Sequence, residues 1–164
     1  MLNVLFVCLG NICRSPLAEG IFQDLLVKKK LSDQFFCDSA GTSGWHIGAQ
    51  PDRRSEAIAN KHGFTLSHSG RQIEQEDFEN FDYIIAMDQS NLENIKQVQG
   101  YETFNKDRLV LMRKFDDESP NKDVPDPYFG GPEGFETVYQ MLDRSCKKFL
   151  KHLQEEHQLR SPLI

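Results

Sequence analysis

The sequence predicts an α/β protein in which helices cover both faces of a parallel sheet. The chain has 164 residues, the size of one ordinary domain. Four short, continuous apolar runs are typical of strands buried on both faces, as in parallel sheets. Segments with helical spacing of apolar residues lie between these runs. Strands and helices therefore alternate, which favours a doubly wound sheet with right-handed crossovers.

The strands are predicted directly from the apolar runs, taken in chain order. Each run is too short for a helix of ordinary length and is rich in aliphatic and aromatic residues. The four runs are LNVLFV over 2–7, FFCDSAG over 35–41, DYIIAM over 82–87 and LVLMRKF over 109–115.

The helices are predicted from apolar residues at three- and four-residue steps between the strands. Leu17, Ile21 and Leu25 indicate the first helix. The remaining helices are expected over 57–62, where Gly63 ends the helix, over 89–98, and along an apolar stripe over 135–153. We expect one domain over 1–164, with residues 155–164 as a frayed tail.

Charge and composition exclude several classes of protein. The net charge of −6 argues against a general nucleic-acid binder, which needs a broad basic surface. No apolar run approaches the ~20 residues of a membrane-spanning helix, and no basic leader precedes the first apolar run. The four cysteines show neither zinc-site spacing nor the density of a disulfide scaffold. We therefore expect a cytoplasmic protein with reduced thiols, no membrane partner and no nucleic-acid partner.

An eight-residue segment after the first predicted strand carries the most informative pattern of the chain. It is CLGNICRS, from Cys8 to Ser15. In doubly wound sheets, ligands bind beyond the carboxyl ends of strands, and this segment follows such an end. Gly10 and Asn11 tolerate left-handed backbone, so the loop can curl and turn its N–H groups inward. Such a nest at the positive end of a helix binds anions.

The residues flanking the curl add the groups that phosphate chemistry needs. Arg14 supplies a planar, permanently charged donor that fits two phosphate oxygens. Ser15 and Pro16 predict a helix that is capped by the serine and has proline at its first position. A thiol at Cys8 would lie among N–H groups and a guanidinium, which favour the thiolate. We interpret the loop as one that supports attack of the Cys8 sulfur on phosphorus. The alternative is that Cys8 is a small buried apolar side chain.

A second segment, VPDPYFGG over 124–131, offers a proton donor. A phenolate or alkoxide departs more easily when it is protonated. Asp126 lies between two prolines, which fix the backbone and exclude a helix. The following Tyr128 and Phe129 can form one wall of a cleft. Taken alone, the segment is also typical of a proline-rich surface turn.

Together these segments resemble the low-molecular-weight protein tyrosine phosphatases. The size agrees, and the likeness extends along nearly the whole chain through DSAGTSGWHIG, SHSGRQI, FDYIIAMDQSN and FETVYQ. The resemblance implies a central sheet of four parallel strands in the order 2-1-3-4, flanked by helices, with the phosphate-binding loop after the first strand. It implies a hydrolase that acts on phosphotyrosine and small aryl phosphates through a phosphocysteine intermediate.

The resemblance also implies a role for each catalytic residue. Cys8 matches the nucleophile and Arg14 the phosphate-binding arginine. Asp126 matches the general acid, which afterwards activates water. Ser15 matches the hydroxyl that donates to the nucleophilic sulfur. Cys13 matches a second thiol that can trap oxidised Cys8 in a reversible disulfide.

Further residues match the supporting network and the substrate cleft of that family. Asn11 matches the residue that holds the strained loop, supported by Ser39, His68 and Asp88. Taken singly, Ser39 and His68 would be loop or surface residues and Asp88 the start of a helix. The expected substrate contacts are Leu9, Gly10, Asn11, Ile12, Cys13, Trp45, Tyr128 and Phe129. A deep aromatic cleft favours a flat phosphoaryl group over the shorter phosphoserine.

The expected partners follow from this chemistry. They are phosphotyrosine proteins or peptides, with inorganic phosphate and related oxyanions as inhibitors. No metal or other cofactor is expected, because Arg14 and backbone donors neutralise the phosphate and no metal-ligand spacing is found. The protein is expected to be a monomer or a weak dimer.

Three alternatives remain. A thioredoxin-coupled arsenate reductase on this fold needs two cysteines after the third strand, and residues 82–107 contain none. A phosphoarginine phosphatase of this fold would carry a small polar residue at the position of Ile12. A phosphoprotein-binding module without turnover would not need an intact Cys8, Arg14 and Asp126, and trapping of phosphoprotein by the unmodified protein would reveal it.

Overall fold

The structure is a computed structural model that describes residues 1–120 and 122–162. Its centre is a sheet of four parallel strands in the order β2-β1-β3-β4, which confirms the predicted order. The strands are β1 (Leu2–Cys8), β2 (Phe35–Gly41), β3 (Tyr83–Ala86) and β4 (Leu109–Leu111).

Helices connect the strands, so that each parallel strand begins at the same edge of the sheet. They are α1 (Arg14–Lys28), α2 (Arg53–Lys61), α3 (Asp77–Asn80), α4 (Gln89–Ile95) and α5 (Pro132–Glu156). Within the part of the chain that the structure describes, no helix combines the length and apolarity needed to cross a bilayer.

Alternate residues of β1 enter two separate hydrophobic cores, one on each face of the sheet. Val4 and Phe6 pack against residues of α1 and α5. Leu5 and Val7 point to the other face, where Ile95 of α4 belongs to the core. Because side chains alternate along a strand, an unbroken apolar run is what a strand needs when both of its faces are covered.

Several element boundaries differ from the sequence prediction. Helix α2 begins at Arg53 and not at Ala57, and α4 ends at Ile95 and not at residue 98. The fourth strand was expected over 109–115, but β4 ends at Leu111 and a 3-10 turn over Met112–Phe115 follows. Arg113 is buried in this turn and donates to Asp116, an interaction that an extended strand would separate. The first helix begins at Arg14, so Ser15 is not its N-cap and Pro16 is its third residue.

Part of the segment expected as a tail makes contacts with the rest of the chain. Helix α5 runs to Glu156, inside the tail expected over 155–164. Leu159 packs against the core of α1 and α5, and Arg160 accepts a hydrogen bond from Gln34 through its carbonyl oxygen. Residues 163 and 164 lie outside the described residues.

The carboxyl ends of β1 and β3 lie side by side and organise the loops above them. The loop 9–13 leaves β1 directly into α1. The segment between the 3-10 turn and α5 passes over the end of β3, where the Val124 N–H donates to the Met87 carbonyl over 2.8 Å. This arrangement brings the two segments singled out in the sequence to one edge of the sheet.

Candidate active site

The loop after β1 curls around the Cys8 thiol. Asn11 has a φ of 57°, so the left-handed residue of the curl is Asn11 and not Gly10. Its backbone N–H points at the Cys8 Sγ over 3.3 Å, and the Ser15 Oγ lies 3.0 Å from the same sulfur. Because Ser15 faces the sulfur from the first turn of α1, its hydroxyl is used there and not as a helix cap.

The side chain of Asn11 connects the loop to three other segments. Its Nδ2 donates to the Oγ atoms of Ser15 (2.8 Å) and Ser39 (3.0 Å). Its Oδ1 lies 2.7 Å from the His68 Nε2 and accepts from the Arg71 N–H over 3.0 Å. Since an amide oxygen only accepts, the His68 Nε2 carries the hydrogen in this contact. The four contacts hold Asn11 in its left-handed conformation.

A cluster of charged side chains that the sequence did not reveal lies behind His68. The His68 Nδ1 is 3.5 Å from carboxylate oxygens of Glu19 and Asp38. Arg71 donates to Asp38 over 2.8 Å and to both oxygens of Asp77 over 3.0 Å. Burial and the charge of Asp38 raise the pKa of Glu19 to about 8. Burial also lowers the pKa of His68, against the influence of Asp38.

Among residues 1–120 and 122–162, the group that could hold a metal ion is Glu19, Asp38 and His68. They offer ligand atoms within 4.8 Å of one another. However, Asp38 already accepts from the Arg71 guanidinium, which supplies positive charge at this point. The three residues come from α1, β2 and the loop after α2, so no spacing in the sequence could have indicated the group.

Arg14 is buried and is positioned by partners on two other segments. Its Nη1 donates to the Asp88 Oδ2 over 2.6 Å and to the Val124 carbonyl over 3.0 Å. Burial acts against the charge of Arg14, but the neighbouring Cys8 and Asp88 raise its pKa above the ordinary value. Asp88 also caps α4 by accepting from the Asn91 N–H over 2.7 Å. The network around Asn11 therefore includes Ser39 and His68, whereas Asp88 contacts Arg14 instead.

Asp126 lies at the mouth of the same site. Its Oδ2 is 3.6 Å from the Arg14 Nη2, and its Oδ1 accepts from the Tyr128 N–H over 3.1 Å. The side chain is 40% exposed, so one oxygen is accessible to a bound molecule. A carboxyl group that is partly in solvent and close to the anion-binding arginine can exchange protons with a group bound there.

One cavity brings most of the predicted residues together. It is lined by Cys8, Leu9, Gly10, Ile12, Cys13, Arg14, Trp45, His46, Asp126, Tyr128 and Phe129. Asn11 was expected to contact substrate, but its side chain points away from the cavity into the polar network. His46 was not predicted. Its imidazole ring lies 6.4 Å from the ring of Tyr128, and no motif in the sequence distinguishes it from a loop residue.

The mouth of the cavity is aromatic and open. Trp45 is 76% exposed and Phe129 is 95% exposed, far more than large apolar side chains usually are. Tyr128 is partly covered and packs edge-to-face against Phe129, with 4.9 Å between ring centroids. These rings can cover both sides of a flat group that enters toward Cys8.

The second thiol of the loop differs from the first in its surroundings. Burial, together with the nearby Asp52 and Cys8, raises the pKa of Cys13 well above its ordinary value. Cys13 is therefore a neutral thiol at physiological pH. Both thiols are unpaired in the structure, as are Cys37 and Cys146.

The arrangement is suited to transfer of an anionic group to sulfur. Inward N–H groups and a buried guanidinium can hold the oxygens of a tetrahedral anion against the Cys8 Sγ. Asp126 is placed on the open side, where a leaving group would lie. The aromatic side chains at the mouth are suited to contact with a flat entering group.

Known proteins similar to this chain are found by sequence and by structure. The family profile described as low molecular weight phosphotyrosine protein phosphatase matches residues 3–159. The human low molecular weight phosphotyrosine protein phosphatase is 44% identical over 151 residues, covering 91% of this chain and 94% of that protein.

Two solved structures extend the comparison. The crystal structure of YfkJ from Bacillus subtilis is 41% identical, with a TM-score of 0.88, over 95% of this chain and 96% of that one. The crystal structure of a drosophila arginine phosphatase is 38% identical, with a TM-score of 0.81, over 92% of this chain and 97% of that one.

Proposed function

The chain belongs to the low molecular weight phosphotyrosine protein phosphatase family and is a hydrolase, and from this premise we propose that Cys8, Arg14 and Asp126 carry out its reaction. The observation that carries the proposal is their convergence on one cavity. The thiol lies at its base, the buried guanidinium beside it, and the carboxyl group at its mouth, 3.6 Å from the guanidinium.

In the first step the Cys8 thiolate attacks the phosphorus atom of phosphotyrosine. Arg14 and the backbone N–H groups of the loop hold the three equatorial oxygens, whose charge they stabilise in the transition state. The S–P bond forms as the P–O bond to the tyrosine ring breaks. Asp126 gives its proton to the departing phenol oxygen. The products are the free tyrosine side chain, an Asp126 carboxylate and a phosphocysteine.

In the second step water releases the phosphate. Asp126 takes a proton from a water molecule whose oxygen attacks phosphorus on the side that the phenol has left. The S–P bond breaks and its electron pair returns to sulfur. The Ser15 hydroxyl, 3.0 Å from the Cys8 Sγ, and the Asn11 N–H, 3.3 Å from it, stabilise the departing thiolate. Inorganic phosphate then leaves, and the thiolate is regenerated.

The shape and lining of the cavity support phosphotyrosine as the substrate class. Tyr128 and Phe129 form an aromatic wall, and Ile12 adds an apolar side chain to the lining. A flat phosphoaryl group fits such a slot and brings its phosphorus down to the sulfur, which a phosphoserine side chain is too short to do. A solved arginine phosphatase is similar in structure, so the fold does not decide between the two substrates. The apolar side chain of Ile12 favours phosphotyrosine over phosphoarginine.

Four finer properties belong to the same proposal. A peroxide oxidises the Cys8 thiolate to the sulfenic acid, and the Cys13 thiol then attacks this sulfur, forming a disulfide and releasing water, which protects the nucleophile reversibly. The protein acts in the cytoplasm, consistent with four unpaired cysteines. It acts as a monomer or weak dimer, since a single chain supplies Cys8, Arg14 and Asp126 to the cavity. Phosphate-like oxyanions inhibit it by binding in the loop after β1.

The test is hydrolysis of p-nitrophenyl phosphate and of a phosphotyrosine peptide in the presence of a chelator. Wild type should hydrolyse both and should prefer the peptide to phosphoserine and phosphoarginine substrates. Cys8→Ser should lower activity to background, and Asp126→Ala should lower kcat/KM for the peptide by about 10²–10⁴. Cys37→Ser, at a thiol outside the cavity, is the matched control and should retain activity. Full activity of Cys8→Ser, or stable binding of phosphopeptide by wild type without turnover, would overturn the proposal.

A further inference from the structure

The loop that carries Asp126 has no regular secondary structure, yet two of its carbonyl groups are held by one side chain. Arg54, near the start of α2, donates from Nη2 to the Tyr128 carbonyl over 2.9 Å. It donates from Nη1 to the Gly130 carbonyl over 3.1 Å. The planar guanidinium can bridge two acceptors at a fixed separation, which an ammonium group cannot do in the same way.

Arg54 is itself held by two side chains, Asp52 and Phe135. Its Nε and Nη2 form a bidentate pair with Asp52, both at 3.0 Å. Its guanidinium lies 4.4 Å from the ring centroid of Phe135, in the first turns of α5. Because each of its three nitrogens already donates, Arg54 has little capacity left for a ligand. It does not line the substrate cavity within the described part of the chain.

The other end of this connection is the loop over residues 9–13 after β1, called the phosphate loop below. The Asp52 N–H donates to the Ile12 carbonyl over 2.8 Å. The buried Ser55 hydroxyl, one residue after Arg54, donates to the Cys13 carbonyl over 3.3 Å. The start of α2 is therefore fixed to the loop that holds the nucleophile.

The connection continues from Arg54 to the carboxyl group of Asp126. The Tyr128 carbonyl accepts from Arg54, while the Tyr128 N–H donates to the Asp126 Oδ1 over 3.1 Å. Tyr128 is thus held on one side and orients Asp126 with the other. A chain of contacts leads from the phosphate loop through Asp52 and Arg54 to Asp126.

We propose that Arg54 is a positioning residue for the general acid, fixing the 126–130 loop relative to the phosphate loop so that Asp126 reaches the leaving-group oxygen. The inference rests on the proposed function, in which Asp126 protonates that oxygen. A displacement of about 1 Å in such a group is enough to lower a rate by about a hundredfold. Loss of Arg54 should therefore impair proton transfer more than it impairs phosphate binding.

The first test varies the leaving group. p-Nitrophenolate departs readily without a proton, whereas phenolate needs one. Arg54→Ala should lower kcat/KM for phenyl phosphate by about ten- to a hundredfold and for p-nitrophenyl phosphate by less than about threefold. Arg54→Lys should recover part of the loss, because lysine keeps the charge but not the fork. Arg53→Ala, at the exposed neighbouring arginine, is the matched control and should behave as wild type.

The second test is a double-mutant cycle with the acid. If Arg54 acts through Asp126, then Arg54→Ala in an Asp126→Ala background should lower kcat/KM for phenyl phosphate by less than about twofold. Equal losses with and without Asp126, or equal losses for both leaving groups, would overturn the inference, since Arg54 would then affect the site by another route.

A third measurement does not depend on activity and separates this inference from the proposed function. Amide hydrogen exchange in the 126–131 segment should be faster in Arg54→Ala than in wild type and unchanged in Arg53→Ala. Unchanged exchange in Arg54→Ala would overturn the positioning role even if Asp126 proved to be the acid. Conversely, full activity of Cys8→Ser would overturn the proposed function whatever the exchange showed. If Arg54→Ala fails to fold, Arg54→Lys serves for the same comparison.

Discussion

Asn11 combines an unfavourable backbone conformation with four side-chain hydrogen bonds. Its φ of 57° lies in the left-handed region, which costs most non-glycine residues about 1–2 kcal/mol and asparagine less. The bonds to Ser15, Ser39, His68 and the Arg71 N–H offset that cost. Glycine would adopt the conformation more easily but would supply none of these bonds. The curl that directs the Asn11 N–H toward the Cys8 sulfur therefore depends on the amide side chain.

We predict that Asn11→Ala lowers both the free energy of unfolding and kcat/KM. Loss of the amide leaves buried polar partners unsatisfied, at a cost of about 1–3 kcal/mol. Asn11→Gly loses the same bonds without the left-handed strain, so it should be at least as stable as Asn11→Ala. Urea unfolding and hydrolysis of p-nitrophenyl phosphate measure the two effects.

The control for this pair is Asn60→Ala, at an exposed position of α2, which should change neither quantity appreciably. Wild-type stability and wild-type kcat/KM in Asn11→Ala would show that the network does not hold the loop.

The residues of the site differed in how far the sequence could reveal them. Cys8, Arg14 and Ser15 lie within one short motif, so their spacing along the chain already implies their proximity. Glu19 and Arg71 carry no local signal, because they act through contacts between separate elements. Asp88 was expected beside Asn11 but contacts Arg14. Its position depends on where β3 ends relative to β1. Such relations require the fold.

At the scale of elements, α5 supplies much of one core through a continuous apolar face. Phe149 is fully buried and contacts three other rings. Ring centroids of Phe22, Tyr83 and Phe115 lie 5.6, 5.9 and 5.0 Å from its own. Through Phe149 the helix contacts α1, β3 and the 3-10 turn after β4. Deleting the ring would leave a cavity at the junction of four elements.

We predict that Phe149→Ala lowers the free energy of unfolding by about 3–5 kcal/mol, from lost burial and the remaining cavity. Phe129→Ala removes the same ring from a site that is 95% exposed and should change that free energy by less than about 0.5 kcal/mol. Urea unfolding followed by circular dichroism compares the two. Equal losses would contradict the assigned packing, and Phe149→Leu gives a milder comparison if the alanine variant does not accumulate.

Elements with strong periodicity were predictable, and their ends were less so. The stripe of α5 and the apolar run of β1 are confirmed because each follows from which faces are buried. The early end of β4 was missed because Leu111, Met112 and Phe115 continue an apolar pattern, while the buried pair of Arg113 and Asp116 decides the backbone. A pairing of charges across a turn leaves no signal in hydrophobic periodicity.

For the molecule as a whole, Asp116 is a fully buried carboxylate that links the turn after β4 to α5. It accepts from Arg113 over 3.0 Å, from Arg144 twice over 3.1 Å, and from the Glu118 N–H over 3.0 Å. Burial alone would raise the pKa of Asp116, but Arg144, the Glu118 N–H and Arg113 together lower it below 3.8. The ionised form of Asp116 is therefore more stable in the folded protein than in the unfolded chain.

The corresponding prediction concerns stability against pH. Because its folded-state pKa is lowered, Asp116 stabilises the protein fully above pH 3.8, and this contribution is lost as the pH falls through the folded-state pKa. Asp116→Asn should cost about 1–3 kcal/mol at pH 7, and its deficit relative to wild type should shrink below pH 4.

Urea unfolding at several pH values measures this deficit. Asp117→Asn, at the neighbouring carboxylate whose side chain is 79% exposed, should cost less than about 1 kcal/mol at any pH. A deficit of Asp116→Asn that stayed constant between pH 7 and pH 3 would contradict the linkage.

The bond from Arg14 to the Val124 carbonyl has a consequence for how the protein is made. The two residues are 110 positions apart, and β1, which precedes the other three strands along the chain, lies in the interior of the sheet. A nascent chain contains the Cys8 thiol long before it contains the Val124 carbonyl that Arg14 contacts or the carboxyl group of Asp126. Closing so long a segment of chain is slow compared with forming local structure. In the proposed mechanism, catalytic competence is therefore acquired only after residues 124–126 have been translated, although the proposed nucleophile, Cys8, is translated well before them.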